Sequence, residues 1–405
     1  MRRQDNGWRH KHKVLGIIYP VDKGLRPLFL SSTISICRGH YASPLPEPIT
    51  GNCPRVQGPW ATRYNFPVRV AVFMSGGVDS SVALAVLLDQ GHDCVGVSML
   101  FHPDSTCCRP DDIRDAAAVA RKLCVEHKVV DAQEAFSERV IKPFIEGYAG
   151  GKTPNPCPVC NRHIKFGLGL EWALVQGFDR VASGHYARLR SESGEVFLET
   201  ARDASRSQEY FLALVPPERL REVMFPLGEL LKEEVRAIAR EKGLPVSDKA
   251  ESQDACFIKG NIRAFLGEHL GPRPGRFLDG SGQTLGYHDG YYAYTVGQRR
   301  GHRVARGERA YIIRIEPPDI ILGTRDEASS RTLRMREINR FTEIKEGEAF
   351  LVKVRYGHKP AEAIVLSDTG EEMVLEFREP QFSVVPGQLG VLYRGERVVA
   401  GGIIA

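Results

Sequence analysis

The feature that most constrains this chain is a seven-residue loop, Ser75-Gly76-Gly77-Val78-Asp79-Ser80-Ser81, set between a strand and a helix. Before it, Val70-Ala71-Val72-Phe73 reads as a short buried strand. After it, Val82, Leu84, Ala85, Leu87 and Leu88 recur at helical spacing. Two adjacent glycines let backbone N–H groups turn toward an anion, and the following helix points its positive end at the same place. Ser75, Ser80 and Ser81 add hydroxyls. The loop lacks the lysine of a Walker A motif, so phosphate charge must be met by backbone, hydroxyls and Mg²⁺. Asp79 is the natural helper for the metal or for the shape of the loop. The competing structural account is an ordinary glycine turn capped by serine and aspartate.

The loop fixes the architecture around it. A strand over Val95–Met99, a helix over Asp111–Leu123, a strand at Lys128–Val130, a helix over Phe136–Tyr148, a helix over Asn161–Val175 and a strand over Arg180–Ser183 follow in turn. Alternation of this length predicts an α/β domain with a parallel sheet, whose ligands sit at the carboxyl ends of the strands. Beyond residue 216 glycine, proline and β-branched residues take over. Alternating stretches such as Tyr311–Ile315 and Phe350–Val354 predict a small central domain followed by a C-terminal β-barrel. The expected divisions are an extension over 1–68, a catalytic nucleotide-binding domain over 69–215, a central domain over 216–330 and the barrel over 331–405.

Residues 1–68 carry ten basic and three acidic side chains, so the remainder of this +5 chain is slightly acidic. An RNA partner would therefore be held by local patches and not by a global field. The extension is read as unstructured; an organellar transit peptide is the alternative. No apolar run approaches the roughly 20 residues of a membrane span. Nine cysteines, an odd number, and no secretory signal favour a reducing compartment, the cytoplasm unless the basic leader directs the chain to an organelle. Cys94 and Cys124 lie in apolar elements and read as core filler. Cys107-Cys108 lies in a polar loop, and Cys37 and Cys53 lie in the extension.

The heptapeptide resembles the loop of the PP-loop ATP pyrophosphatases, which cleave ATP between the α- and β-phosphates and adenylate a substrate oxygen. A second constellation narrows the substrate. Lys152-Thr153-Pro154-Asn155-Pro156-Cys157-Pro158-Val159-Cys160-Asn161 places a C-x-x-C at a helix N-terminus, where the dipole favours thiolate. Cys256 lies in Ser252-Gln253-Asp254-Ala255-Cys256-Phe257. These segments resemble the tRNA-specific 2-thiouridylases (the MnmA/TrmU family). So do Ser183-Gly184-His185-Tyr186-Ala187-Arg188, Gly286-Tyr287-His288, Tyr294-Thr295-Val296-Gly297-Gln298-Arg299, Pro386-Gly387-Gln388 and Gly401-Gly402. The resemblance runs from about Arg69 to the C-terminus.

It implies that Phe73, Met74, Ser75, Gly76, Gly77, Val78, Asp79, Ser80, Met99 and Gly184 contact ATP. It also implies that Asn155, Pro156 and Cys157 surround the target base, that Cys160 is the catalytic cysteine, and that Cys256 carries a persulfide sulfur. Arg206, Ser207 and Gln208, with Arg355 and Tyr356, fall where the family contacts tRNA. The substrates implied are the Lys, Glu and Gln tRNAs at position 34, and the sulfur donor a cysteine desulfurase or sulfur-relay protein. Two departures stand out. The family usually reads Lys-Asp-Gln-Ser-Tyr-Phe where this chain reads Arg206-Ser207-Gln208-Glu209-Tyr210-Phe211, and many relatives carry Asp at the position of Cys157.

Three chemistries fit the cysteines. Cys157, Cys160 and Cys256 could hold a [4Fe–4S] cluster with one iron open. Cys160 and Cys256 could work as a persulfide pair that passes through a disulfide, with Cys157 a bystander. Zinc could be bound with His163 completing the site. His185 and His288 fall in the family's motifs, where either could be a structural hydrogen-bonding residue, and the basic run Arg299-Arg300-Gly301-His302-Arg303 is a candidate phosphate contact. Two other functions compete: a PP-loop amide ligase, which needs no cysteine beside its substrate, and an RNA-binding protein with a relic nucleotide site, which would release no AMP.

Overall fold

The computed structural model describes residues 67–101, 110–249, 255–258, 260–304 and 309–405. The expected extension up to residue 66, with Cys37 and Cys53, lies outside the described residues, as do Cys107, Cys108 and the Ser252-Gln253-Asp254 part of the Cys256 motif.

The first strand, β1 (Arg69–Phe73), is buried almost throughout and sits in the middle of a sheet. It pairs in parallel with β2 (Asp93–Leu100) on one side, and β2 pairs with β3 (His127–Asp131). On its other side lies β4 (Arg180–Ser183). The hairpin β5 (Arg188–Glu192) and β6 (Glu195–Glu199) then leaves this sheet, whose fifth strand is β7 (Val223–Met224), from beyond Val215. The order β3-β2-β1-β4-β7, parallel throughout, is the expected α/β layer. Helix α1 (Val78–Asp89) is apolar on nearly every face, because it lies between the sheet and other elements. Helix α2 (Pro110–Lys122) is amphipathic, with Asp111 and Asp112 in its first turn and Arg121 and Lys122 in its last. Helices α3 (133–149) and α4 (156–175) run past the sheet's carboxyl edge. Each has a middle stretch, Ser137–Ile141 and Asn161–Gly169, wound as π-helix. The last two helices are α5 (Lys232–Glu241) and α6 (Ile262–Leu270).

Beyond them the chain is all-β, as its composition predicts. Strands β8 (Gly275–Leu278), β9 (Thr284–His288), β10 (Tyr311–Glu316) and β11 (Asp319–Gly323) form a small sheet in the order β10-β11-β8-β9. Strands β12 (Ser329–Arg340), β13 (Ala349–Lys353), β14 (Ala361–Asp368), β15 (Glu372–Phe382), β16 (Leu389–Arg394) and β17 (Arg397–Ile404) close into a six-stranded barrel through the β12–β17 pairing. Period-two alternation fills it: Phe350 and Val352 point inward while Leu351 between them is exposed.

The barrel is fastened to the first domain by main chain and by one buried carboxylate. Arg397 of β17 pairs with Glu199 of the β5–β6 hairpin. The Tyr210 hydroxyl donates to the Leu389 carbonyl (2.8 Å), and Asn339 Nδ2 donates to the carbonyls of Ala213 and Val215 (both 2.9 Å). A Cβ on Gly401 would lie 2.7 Å from the Ala213 carbonyl oxygen, so glycine there permits the contact. Glu209 is fully buried. It accepts from the Tyr393 hydroxyl (2.9 Å) and Lys353 Nζ (3.3 Å) of the barrel, and from Ser207 Oγ on its own side. At the departure from the family's pattern, Ser207 and Glu209 flank Gln208 and bond to one another. Glu209→Ala should leave Lys353 without its buried carboxylate and cost about 3 kcal/mol or more in urea unfolding, with Glu209→Gln costing less.

Candidate active site

The phosphate loop is shaped by what its glycines allow. Gly76 has φ +71°, and a Cβ there would lie 2.2 Å from the Asp112 carbonyl oxygen. Gly77 is extended and caps α1; its carbonyl accepts from Ser80 Oγ (3.1 Å) and Ser81 Oγ (2.9 Å). The Ser75 amide donates to Ser80 Oγ at 3.2 Å. These bonds close the loop around the start of α1, as a phosphate cradle needs. Gly184 serves that turn from outside, since a Cβ on it would lie 2.6 Å from the Ser80 nitrogen. Asp79 works on loop geometry. Lys232 Nζ donates to both of its oxygens (2.7 and 2.9 Å), and the Tyr186 hydroxyl donates at 2.9 Å. Lys249 Nζ reaches the Gly76 carbonyl (3.0 Å), Asp112 (2.7 Å) and Asp115 (2.6 Å). Burial works against its charge, but the bonds and field of the two carboxylates outweigh it and raise the ammonium above its ordinary value.

Beside the loop, at the carboxyl ends of β1, β2 and β4, opens a pocket lined by Phe73, Met74, Ser75, Val97, Met99, Phe101, Lys165 and Ser183. Four expected nucleotide contacts, Phe73, Met74, Ser75 and Met99, line it. Gly76, Gly77, Val78, Asp79 and Ser80 form the adjoining loop and first turn. Ser183 Oγ shares a hydrogen bond with His185 Nδ1 (2.8 Å). Burial, then the positive field of Lys165, pushes His185 well below the ordinary histidine range.

The C-x-x-C opens α4. Asn155 is its N-cap, accepting from the Cys157 amide at 3.2 Å, and Pro156 occupies the first turn. Cys157 is exposed, Cys160 is buried in the main core, and Cys256 packs against the same core. Further along, a Cβ on Gly169 would lie 2.0 Å from Met99 Cε and 3.0 Å from the Phe73 ring, so α4 lies directly on the pocket. The preceding loop is gripped from three sides. The Thr153 amide donates to the Pro386 carbonyl (2.9 Å), and Gln388 Nε2 donates to the Thr153 carbonyl (2.7 Å). Thr153 and Thr295 share a hydroxyl bond (3.1 Å), and Gly387 passes the Pro154 nitrogen at a distance that leaves no room for a side chain. Motifs over a hundred residues away in sequence therefore hold the segment expected to face the target base.

The residues expected at tRNA are divided. Arg355, partly buried near Tyr210 and Tyr148, donates to the Val296 carbonyl (3.3 Å), and the Tyr356 ring packs 4.6 Å from that of Phe211. The Phe211 carbonyl in turn accepts from Asn161 Nδ2 of α4 (2.9 Å), so the barrel residues are brought to the cysteine helix. Ser207 is buried and accepts from the Ala201 amide (2.7 Å). The Gln208 carboxamide oxygen accepts from the Tyr186 amide (2.9 Å), while Arg206 is exposed. His288 lies in the central domain against Phe277 and Tyr294, and His302 is buried, while Arg299, Arg300 and Arg303 are exposed.

Among the described residues no group of three His, Cys, Asp or Glu side chains could hold a metal ion. Cys157, Cys160 and Cys256 are free cysteines and belong to no such group. Of the cysteines read as core filler, Cys94 is buried, its thiol pushed up to about 12 by burial and then by Asp93. Cys124 is disulfide-bonded, so it is not simple filler; its positive φ of 57° places it in the turn after α2.

Residues 68–260 match the family described as tRNA methyl transferase HUP domain, 263–321 its PRC-barrel domain, and 330–404 the aminomethyltransferase beta-barrel domain. The tRNA-specific 2-thiouridylase MnmA of Acidithiobacillus ferrooxidans is 40% identical over 346 residues, covering 83% of this chain and 98% of the relative. That of Aquifex aeolicus is 38% identical over 351 residues, covering 83% and 99%. The chain belongs to the MnmA family of tRNA-specific 2-thiouridylases. Among solved structures, the U34-tRNA thiolase NcsA from Methanococcus maripaludis with its [4Fe-4S] cluster is 18% identical with a TM-score of 0.32, covering 50% of this chain and 65% of that one. A likeness that faint says nothing about a cluster here.

In this MnmA-family chain three lysines at the loop escaped sequence reasoning: Lys165, Lys232 and Lys249. No motif announced Lys232 or Lys249, which reach the loop from 153 and 173 residues away along the chain. Lys165 had a signal, four residues beyond Asn161 on the cysteine helix. No helix among the described residues is long and apolar enough to cross a membrane. Gly76→Ala should abolish nucleotide-dependent activity while leaving the circular-dichroism spectrum unchanged, because the Asp112 backbone cannot yield to a Cβ. Burial first, then neighbouring arginines, lowers His127 and His163 from the ordinary 6.5 to about 4, and His185 is lowered as well. The unfolded chain binds these protons below pH 6.5 and the folded chain does not. The urea midpoint should therefore be full above pH 6.5 and fall toward pH 4, with a shallower fall in His127→Gln.

Proposed function

We propose that this enzyme of the MnmA family adenylates O2 of the wobble uridine in tRNA and replaces that oxygen with sulfur, and that Cys160 is the nucleophile which releases the sulfur. The observation that carries the proposal is a single helix, α4, with the C-x-x-C at its capped start and Lys165 and Gly169 against the nucleotide pocket further along. This supports a reading in which ATP cleavage and sulfur chemistry work side by side. An amide ligase would have no use for that juxtaposition, nor would a binding protein.

A uracil carbonyl is a poor electrophile and its oxygen a poor leaving group. Attack of O2 on the α-phosphorus of ATP expels pyrophosphate and converts the oxygen into part of AMP. ATP would lie across Ser75–Ser80, Phe73 and Met99, with Mg²⁺ arriving on the triphosphate, since Asp79 is held by Lys232 and Tyr186. Cys256 would receive sulfur as a persulfide from a desulfurase or relay protein. Attack of the Cys160 thiolate on the inner sulfur forms the Cys160–Cys256 disulfide and expels hydrosulfide. Hydrosulfide adds at C2, AMP leaves with the oxygen, and a dithiol reductant reopens the disulfide. Asn155 and Pro156 would border the base, with Arg355, Tyr356 and Gln208 near the tRNA. The Lys, Glu and Gln tRNAs are the proposed substrates.

Cys160→Ser should keep a single-turnover burst of tRNA-dependent pyrophosphate release from ATP, with AMP retained on the tRNA, and lose 2-thiouridine by at least about a hundredfold, measured by nucleoside mass spectrometry. Unchanged 2-thiouridine would sink the assignment. Iron and acid-labile sulfide in anaerobically purified protein that retains activity would replace the persulfide route with a cluster.

A further inference from the structure

The phosphate loop has no lysine of its own, yet the reaction builds charge on the α-phosphate. The structure offers three lysines at the site and sorts them. Lys232 is bound to Asp79, and Lys249 to the Gly76 carbonyl, Asp112 and Asp115; both hold the loop in shape, and neither lines the pocket. Of the eight residues that line it, Lys165 alone is ionisable. It lies in the π-wound part of α4, where i→i+5 bonding brings residues five apart close to one side of the helix, and Cys160 is five residues before it. One turn further on, Gly169 lets the helix backbone touch Met99 and Phe73 of the pocket wall. The lysine is thus fixed at the pocket by the packing of the helix that carries it.

We propose that Lys165 is a catalytic residue for both halves of the reaction, its ammonium bound to the α-phosphate while uracil O2 attacks and again while AMP departs. This deepens the thiouridylase proposal and rests on it. In the first half the O2–Pα bond forms and the bond from Pα to the bridging oxygen breaks, with pyrophosphate carrying off the electron pair. In the second half the S–C2 bond forms and the C2–O2 bond breaks, with AMP taking the oxygen and its electrons. Negative charge grows on the non-bridging oxygens of Pα in the first half and on O2, as it becomes an oxygen of AMP, in the second, so both halves load the same phosphate. A fixed cation in an apolar pocket, flanked by Phe73, Met99 and Phe101, stabilises that charge more strongly than water would. Lys165 is consumed in neither half.

The test uses the full-length protein with an unmodified tRNA transcript, ATP and sodium sulfide. Lys165→Met should lower kcat for tRNA-dependent AMP formation by about a hundredfold to a thousandfold, the size expected for one lost transition-state donor, with KM for ATP changed by less than about tenfold. Lys165→Arg should recover a substantial part of the rate, and both variants should melt near the wild-type temperature. Wild-type AMP formation in Lys165→Met would overturn the proposal. So would a loss expressed only in KM, or an equal loss in Lys165→Arg with unchanged melting. If the wild-type protein itself forms no AMP with tRNA, the functional proposal fails first, an outcome distinct from failure of the lysine.

Discussion

Between helices α3 and α4 the chain from Lys152 to Asn155 has no secondary structure of its own, and its middle is restrained from the two β domains. The Pro386 carbonyl and Gln388 side chain hold Thr153 from the barrel, and Thr295 holds it from the central domain. Gly387, at φ +90°, lets the barrel backbone pass the Pro154 nitrogen at close range. This grip sets where α4 begins, and so where Cys157 and Cys160 stand relative to the nucleotide pocket. An exposed loop held only by its own turns would leave a thiol free to wander by ångströms, which is ruinous for a displacement at a defined carbon. The two β domains thus act on the chemistry by positioning the loop, apart from any contact they make with RNA.

The phosphate loop is built on the same logic at shorter range. Its hydroxyls close it internally, while Lys232 and Lys249 come from the segment after the sheet to neutralise Asp79, Asp112 and Asp115 and to bind the Gly76 carbonyl. Lys249, seven residues before Cys256 in the sequence, is held at the phosphate loop.

Much of this was legible from the residues. Hydrophobic period and the glycine loop announced the parallel sheet, since a strand buried on both faces must be continuously apolar, as Val70–Phe73 is. Helix α4 starts at Pro156, capped by Asn155, and not at the Asn161 of the apolar pattern, because prolines mask the first turn. The barrel was visible in alternation, as at Phe350-Leu351-Val352, but its closure through β12 and β17 was not, because strand pairing leaves no local trace. The departure at Ser207 and Glu209 is a buried link to Lys353 and Tyr393, which the sequence does not reveal.

The sequence by itself determined the phosphate loop, the order of the layers and the residues able to do sulfur chemistry, because these depend on neighbours along the chain. Only the tertiary structure decided which lysine lines the nucleotide pocket and which lysines hold the loop, why distant Gly-Gln and Thr-Val-Gly motifs matter, and that the described cysteines do not assemble as metal ligands. Charge pairing and close backbone approach act through space at three ångströms, between residues a hundred or more positions apart, and composition carries no record of them.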